Sequence, residues 1–179
     1  VKRVLVICLL IFSTSLFASE EGEKLPVNLS DDYYRLVWKY SVMFNIPAEV
    51  LVRQDYLESS FQPGTIYEQS DGFYSIGYKQ INVRWLDYFE EHFYDLDEPF
   101  EETNQEHLYY IGVNYLSYLI ESLGSPYKAL VAYNCGETKV RTDWENVPQR
   151  SKDYAFFILT GIGRGVYEIR ETQYSYLID

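Results

Sequence analysis

The stretch RQDYLESSFQPG, residues 53 to 64, places a carboxylate among apolar residues. At helical spacing Glu58 shares a face with Leu51 and Phe61, and Val50 and Leu57 lie on the adjoining strip. Ionised glutamate is almost never fully buried unless it is paired. Desolvation at such a place would raise the carboxyl pKa and keep the proton on near neutrality. A protonated carboxyl in a cleft is what cleavage of a glycosidic bond needs, because it can donate to the leaving oxygen. Position alone also fits a structural glutamate satisfied by its neighbours, or one at the rim of the helix.

Other reactive side chains offer less. Asp55 lies one turn before Glu58 and Asp71 lies in the following loop, so either could be the second carboxylate of a two-carboxylate hydrolase. Both read more simply as solvated surface charges. Cys135 with His92 or His107 could suggest a cysteine peptidase. Cys135 follows the end of a helical stretch, however, and a reactive thiolate prefers a helix N-terminus or a cationic neighbour. It reads as core packing. Two isolated histidines, without C-x-x-C or H-E-x-x-H spacing, give no metal site, and no cofactor is implied. The GIGRG run at 161 to 165 follows no strand and lacks the spacing of a dinucleotide fingerprint.

The elements that must position Glu58 are mostly helical. Ser30 is a candidate N-cap, with Asp31 and Asp32 in the first turn of a helix to about Phe44. Pro47 fits the first position of a helix over 47 to 60 that carries Glu58 near its end, and Pro63 and Gly64 stop it. Residues 62 to 79 hold three glycines and no helical period, which predicts a loop or small hairpin. Helix returns over 81 to 94. Thr103 with Glu106 forms a capping box for a long helix ending at Gly124. Ser125 and Pro126 open a helix to about 134, closed by Gly136. A last helix spans about 150 to 160, after Pro148.

Composition narrows the function. Of the 179 residues 47% are hydrophobic, ample for one folded domain. Aromatics reach 18%, including 19 Tyr, whose flat face and hydroxyl suit a sugar-binding groove as well as a core. Residues 1–18 read as a secretory signal. Lys2 and Arg3 precede the apolar run from Val4 to Phe12, and small residues follow towards Ala18. Residues 19–30 read as a linker and 31–172 as the domain. Without the signal, 13 basic and 27 acidic residues leave a net charge of −14. Such a surface repels phosphate backbones, so nucleic acid is not an expected partner. No later stretch is long enough for a transmembrane anchor, and the expected location is exported, periplasmic or extracellular. Only Cys135 remains after cleavage, so no intrachain disulfide can form.

Five segments, in order, resemble the motifs of lytic transglycosylases with the soluble-transglycosylase (SLT), lysozyme-like domain. YLESSF at 56 to 61 resembles the ESxF signature and GYKQI at 77 to 81 resembles GLMQI. IGVNYLSYL at 111 to 119 resembles the GxxYLxxL helix, and ALVAYNCG at 129 to 136 resembles ALAAYNAG. VPQRSKDYAFFI at 147 to 158 is a fainter echo of PxETxxYVxxV. The resemblance implies a mainly α, lysozyme-like fold with a small irregular or hairpin segment after the catalytic helix. It also implies cleavage of peptidoglycan glycan strands, with Glu58 as general acid and then base. Gln80, Tyr133, Asn134, Tyr154 and Ser70 match residues that contact substrate or approach the acid. The product implied is 1,6-anhydro-N-acetylmuramic acid. A hydrolytic muramidase, or a glycan-binding scaffold without catalysis, are the alternatives.

Two positions depart from the pattern. Lys79 stands where the family usually has Met, and Arg150 takes the place of a glutamate. An ammonium close to Glu58 would lower its pKa. The expectation is instead that Lys79 runs along the groove with its charge in water.

Overall fold

The computed structural model describes residues 29–64, 66–68 and 72–161. The signal segment, most of the linker, Ser70, Asp71 and residues 162–172 of the expected domain lie outside them. The described elements are mainly helical, with a small three-stranded sheet: α1 (Asp31–Phe44), α2 (Ala48–Ser59), β1 (Tyr67–Glu68), β2 (Tyr74–Ile76), β3 (Ile81–Asn82), α3 (Leu86–Phe93), α4 (Gln105–Leu123), α5 (Pro126–Cys135), α6 (Glu137–Thr142) and α7 (Gln149–Thr160). Single 3-10 turns at Val83–Trp85 and Trp144–Asn146 precede α3 and α7. No helix among the described residues is long and apolar enough to cross a membrane.

Helix α4 is the axis of the fold. Leu108, Tyr109, Tyr110, Ile111, Gly112, Val113, Leu116 and Leu119 are all buried, so the helix is enclosed over most of its girth. A helix apolar all round belongs inside a domain. Helix α5 packs against α4 and α7, α2 packs against α7 and α1, and α3 covers another side of α4. A smaller cluster of Ile81, Leu86, Phe93, Leu108 and Ile111 joins the sheet to α3 and α4.

The caps explain where the helices begin and end. The Ser30 side chain accepts from the Tyr33 amide, and α1 ends in a left-handed Asn45. Ser125 caps α5 with Pro126 in its first turn, and Gly124 closes α4 in the left-handed region. The capping box expected at Thr103 is replaced: Asn104 caps α4, accepting from the amides of Glu106 and His107. The Glu106 carboxylate is drawn instead to Lys39 at 2.6 Å and the Tyr40 hydroxyl at 3.1 Å. The helix expected over 81 to 94 is divided. Ile81 pairs with Ile76 in an antiparallel ladder, and the Asn82 side chain accepts from the Arg84 amide, so helical structure starts only after it. Helix α6 was not legible, its six residues following Gly136 without a side-chain cap.

The sheet runs β1-β2-β3, antiparallel throughout, and a turn from Gly77 to Gln80 joins β2 to β3. That turn lies on α4 at Gly112. A Cβ added at Gly112 would stand 2.5 Å from the Lys79 Cβ, 2.7 Å from its Cγ and 3.1 Å from the Tyr133 hydroxyl. Glycine there is a matter of space. Alanine would gain about 1 kcal/mol of helix propensity, but it would collide with a backbone-near part of a buried side chain. The expected result for Gly112→Ala is a net loss of about 1–3 kcal/mol, read from urea denaturation. A variant as stable as the parent would show that the turn can lift away from α4.

Candidate active site

Glu58 sits in the last turn of α2. Two successive residues beyond it, Ser60 (φ 51°) and Phe61 (φ 62°), are left-handed, and the Ser60 amide donates to the Tyr56 carbonyl. This tight ending turns the chain away and leaves Glu58 facing a cleft of about 620 Å³. The size suits a small-molecule or oligosaccharide segment. Gln80, Tyr133 and Asn134 line the same cleft, brought there by the turn after β2 and the end of α5. Three residues expected from two separate motifs thus meet around the carboxyl. Ser70 lies outside the described residues.

Tyr154 comes from α7 and takes a different place. It is buried behind the glutamate, and its hydroxyl donates to Glu58 Oε1 at 2.5 Å. Burial pushes the Glu58 pKa up to about 7. The Tyr154 hydrogen bond and the Lys79 charge oppose the rise, while the Asp55 charge adds to it. Desolvation wins, so Glu58 keeps its proton to a higher pH than a solvated glutamate does. Both Tyr133 and Tyr154 are held protonated, their own pKa values raised by burial and by the Glu58 charge.

Gln80 is held in the left-handed region at φ 48°, with its backbone amide and its side-chain Nε2 both donating to the Gly77 carbonyl. A non-glycine residue held there is strained, and such strain persists where the surroundings over-determine it. Tyr133 donates to the Lys79 carbonyl at 3.0 Å, fastening α5 to the Gln80 turn. The Asn134 side chain is oriented by the Ser151 hydroxyl at 2.7 Å.

Two expectations about charges are overturned. Asp55 is no surface carboxylate, and Lys79 does not reach into water: both have 0% exposure. The Lys79 ammonium lies 2.7 Å from Asp55 Oδ1 and donates to Gln54 Oε1 at 2.9 Å and the Leu51 carbonyl at 3.2 Å. Residues 79 and 55 are far apart in sequence, so neither revealed the other's partner, and a lone charge defaulted to solvent. Arg150 is exposed on the first turn of α7. Cys135 packs on the core and also lines the cleft, and burial pushes its thiol pKa up, away from the reactive thiolate. His92 is exposed and His107 is buried with its ring nitrogen at 3.4 Å from Glu98, and among the described residues no group of three His, Cys, Asp or Glu side chains could hold a metal ion.

The sequence reading missed the far wall. Trp85, Phe89 and Tyr115 line the cleft, with Phe89 and Tyr115 edge to face at 5.0 Å and Tyr115 against Tyr133 at 5.6 Å. The four-residue spacing of Trp85 and Phe89 was the available signal. It puts both on one side of the expected helix over 81 to 94.

A family model described as the transglycosylase SLT domain matches residues 35–156, most of the chain. The chain belongs to this family. Its members act in general as lytic transglycosylases on peptidoglycan. The match runs from within α1 to within α7 and contains Glu58, Gln80, Tyr133, Asn134 and Tyr154. A comparison with curated proteins finds no match to this chain. Within the SLT domain, the bond from Tyr154 to Glu58 lends itself to a direct test. Tyr154→Phe removes a donor that favours the ionised carboxyl, so the Glu58 pKa should rise by about one unit. Turnover plotted against pH should keep its shape with the limb that reports Glu58 moved to higher pH. An unmoved limb would show that Tyr154 does not act on the acid.

Proposed function

We propose that this chain is a lytic transglycosylase in which Glu58 is the sole acid and base. The observation that supports this reading is a carboxyl with a pKa near 7 facing a cleft with no other carboxylate among its described lining residues. Glu58, in its protonated form, donates to the oxygen between N-acetylmuramic acid and N-acetylglucosamine as that bond breaks. The resulting carboxylate then takes the proton from the muramic C6 hydroxyl while that oxygen closes onto C1. The product is a 1,6-anhydro sugar, no water is consumed, and Glu58 regains its proton. A pKa near the working pH suits a group that must give and then take a proton.

The cleft suits the substrate. Its described lining offers amide groups at Gln80, Asn82 and Asn134 for sugar hydroxyls and acetamides, and the rings of Trp85, Phe89 and Tyr115 for apolar sugar faces. The muramidase alternative needs a second carboxylate beside the bond. Asp55 is committed to Lys79, Tyr33 and Tyr109 and lines no part of the cleft, which counts against that role.

Glu58→Gln keeps the shape of the side chain but can neither donate nor accept the catalytic proton. Digests of purified peptidoglycan, resolved by mass spectrometry, should contain anhydro-muropeptides with the parent protein and none with the variant. Reducing ends without anhydro products would identify a muramidase, and residual activity above a tenth would point to another acid. The same variant has a stability signature. Because the folded pKa of Glu58 is raised from 4.5 to about 7, the folded state binds the proton more tightly than the unfolded chain does. That contribution is complete below the unfolded value and is lost as pH rises through 7. Glu58→Gln lacks this loss, so its stability relative to the parent should improve by about 1–3 kcal/mol between pH 4 and pH 8. Denaturation at both pH values measures it, and a constant difference would mean that Glu58 has an ordinary pKa.

A further inference from the structure

The aromatic far wall does not stop where the cleft does. Tyr115 lines the cleft, and Tyr118, three residues further along α4, lies beyond that lining and is 41% exposed. Residues three apart on a helix are neighbours on its surface. The two rings are nearly parallel, 17° apart, with their centroids at 6.3 Å. That step is close to the advance of one pyranose unit along a β-1,4 chain. Tyr118 also falls on an unspecified position of the GxxYLxxL pattern, so the resemblance to the family assigns it nothing.

An exposed side chain ordinarily exchanges rotamers within nanoseconds. Tyr118 is instead held by three neighbours. The buried Phe93 ring meets it at 5.4 Å, Tyr115 flanks it, and its hydroxyl lies 3.5 Å from Glu137 Oε1. Glu137 is fixed in turn, accepting from Ser122 at 3.1 Å and Arg141 at 2.8 Å. It directly follows Gly136, which lines the cleft at the end of α5. Two walls of the cleft, α4 through Tyr115 and α5 through Gly136, thus lead to the same tyrosine. A ring fixed in advance loses less freedom when a ligand settles on it. Tyrosine offers that ligand a flat apolar face and a hydroxyl at its edge.

We propose that Tyr118 is an additional sugar subsite, on which a β-1,4 glycan strand seated in the cleft rests a further N-acetylated sugar. This rests on the reading of the cleft as a glycan site. Its consequence is a preference for strands long enough to pass from the Tyr115 ring to the Tyr118 ring.

The test is calorimetric binding of β-1,4 oligomers of N-acetylglucosamine, the dimer and the hexamer, to full-length Glu58→Gln, so that no substrate is consumed. The hexamer should bind more tightly than the dimer. Adding Tyr118→Ala should weaken the hexamer about three- to tenfold and leave the dimer unchanged. Adding Tyr118→Phe instead, which keeps the ring, should leave hexamer binding as it was. Equal losses for both oligomers, no loss for the hexamer, or a Phe variant as weak as the Ala variant would overturn the proposal. So would a dimer bound as tightly as the hexamer before any change at Tyr118. NMR of ring-labelled tyrosine locates the contact without depending on the Ala variant. The Tyr118 signal, identified by its loss in Tyr118→Phe, should shift on adding hexamer, and an unmoved signal would overturn the subsite. Binding needs no turnover, so a parent protein that released no anhydro sugar would sink the proposed activity and leave these measurements standing. Anhydro products together with length-independent binding would overturn the role of Tyr118 alone.

Discussion

Two opposite charges removed wholly from water are the constraint around which this domain is arranged. Each ion loses several kcal/mol of hydration on burial, and attraction alone restores that only when the remaining donors and acceptors are also met. Here partners come from four sides, although Asp55 Oδ1 and Gln54 Nε2 close no hydrogen bond of good geometry. Tyr33 comes from α1, Gln54 and the Leu51 carbonyl from α2, Tyr109 from α4, and the lysine itself from the turn after β2. Each of those elements must reach its place for the pair to be tolerated. The pair therefore acts less as a source of net stability than as a condition on geometry. Removing one partner alone would cost about 3–5 kcal/mol, because an unpaired charge would stay behind.

That condition is transmitted to the chemistry through short links. Gln80 follows Lys79 directly, so fixing the ammonium fixes the backbone that holds Gln80 in its left-handed conformation at the cleft. Tyr133 reaches the Lys79 carbonyl and so sets the distance between α5 and the turn. Gly112 removes the one side chain that would keep the turn off α4. The acid then faces a lining of amides and rings, a suitable surface for an uncharged sugar backbone. Desolvation, rather than a neighbouring charge, is left as the main influence on its proton.

Much of this was legible because the signals were local. Ser30, Gly124, Ser125 and Pro126 act through bonds within a few residues of themselves, and their effects were read correctly. Glu58, Gln80, Tyr133 and Asn134 stood in recognisable segments, and the fold brings them together. The failures share a cause. Asp55 and Lys79 each looked like a surface charge because the partner lies on another element, and nothing local distinguishes a paired buried charge from a solvated one. The helix expected over 81 to 94 failed for a related reason. Its apolar residues suit a helix, but Ile81 finds a ladder partner in Ile76 across a turn that only the sheet defines. Thr103 and Glu106 had the right spacing for a capping box, yet Asn104 offered a better-placed oxygen and Lys39 claimed the glutamate.

The bond between Tyr154 and Glu58 joins residues 96 positions apart, near opposite ends of the domain. Contacts of such long sequence separation form only after much of the chain has collapsed, because closing the intervening loop costs entropy before the contact returns anything. Helix α7 has 12 residues, a length at which an isolated helix is marginal, so its order depends on packing against α2 and α5. Until α7 docks, Glu58 lacks the Tyr154 hydroxyl that bonds it in the folded domain. The pairing of this carboxyl with its oriented donor is thus a property of the completed fold. Glu58 gains its hydroxyl partner only when α7 is in place.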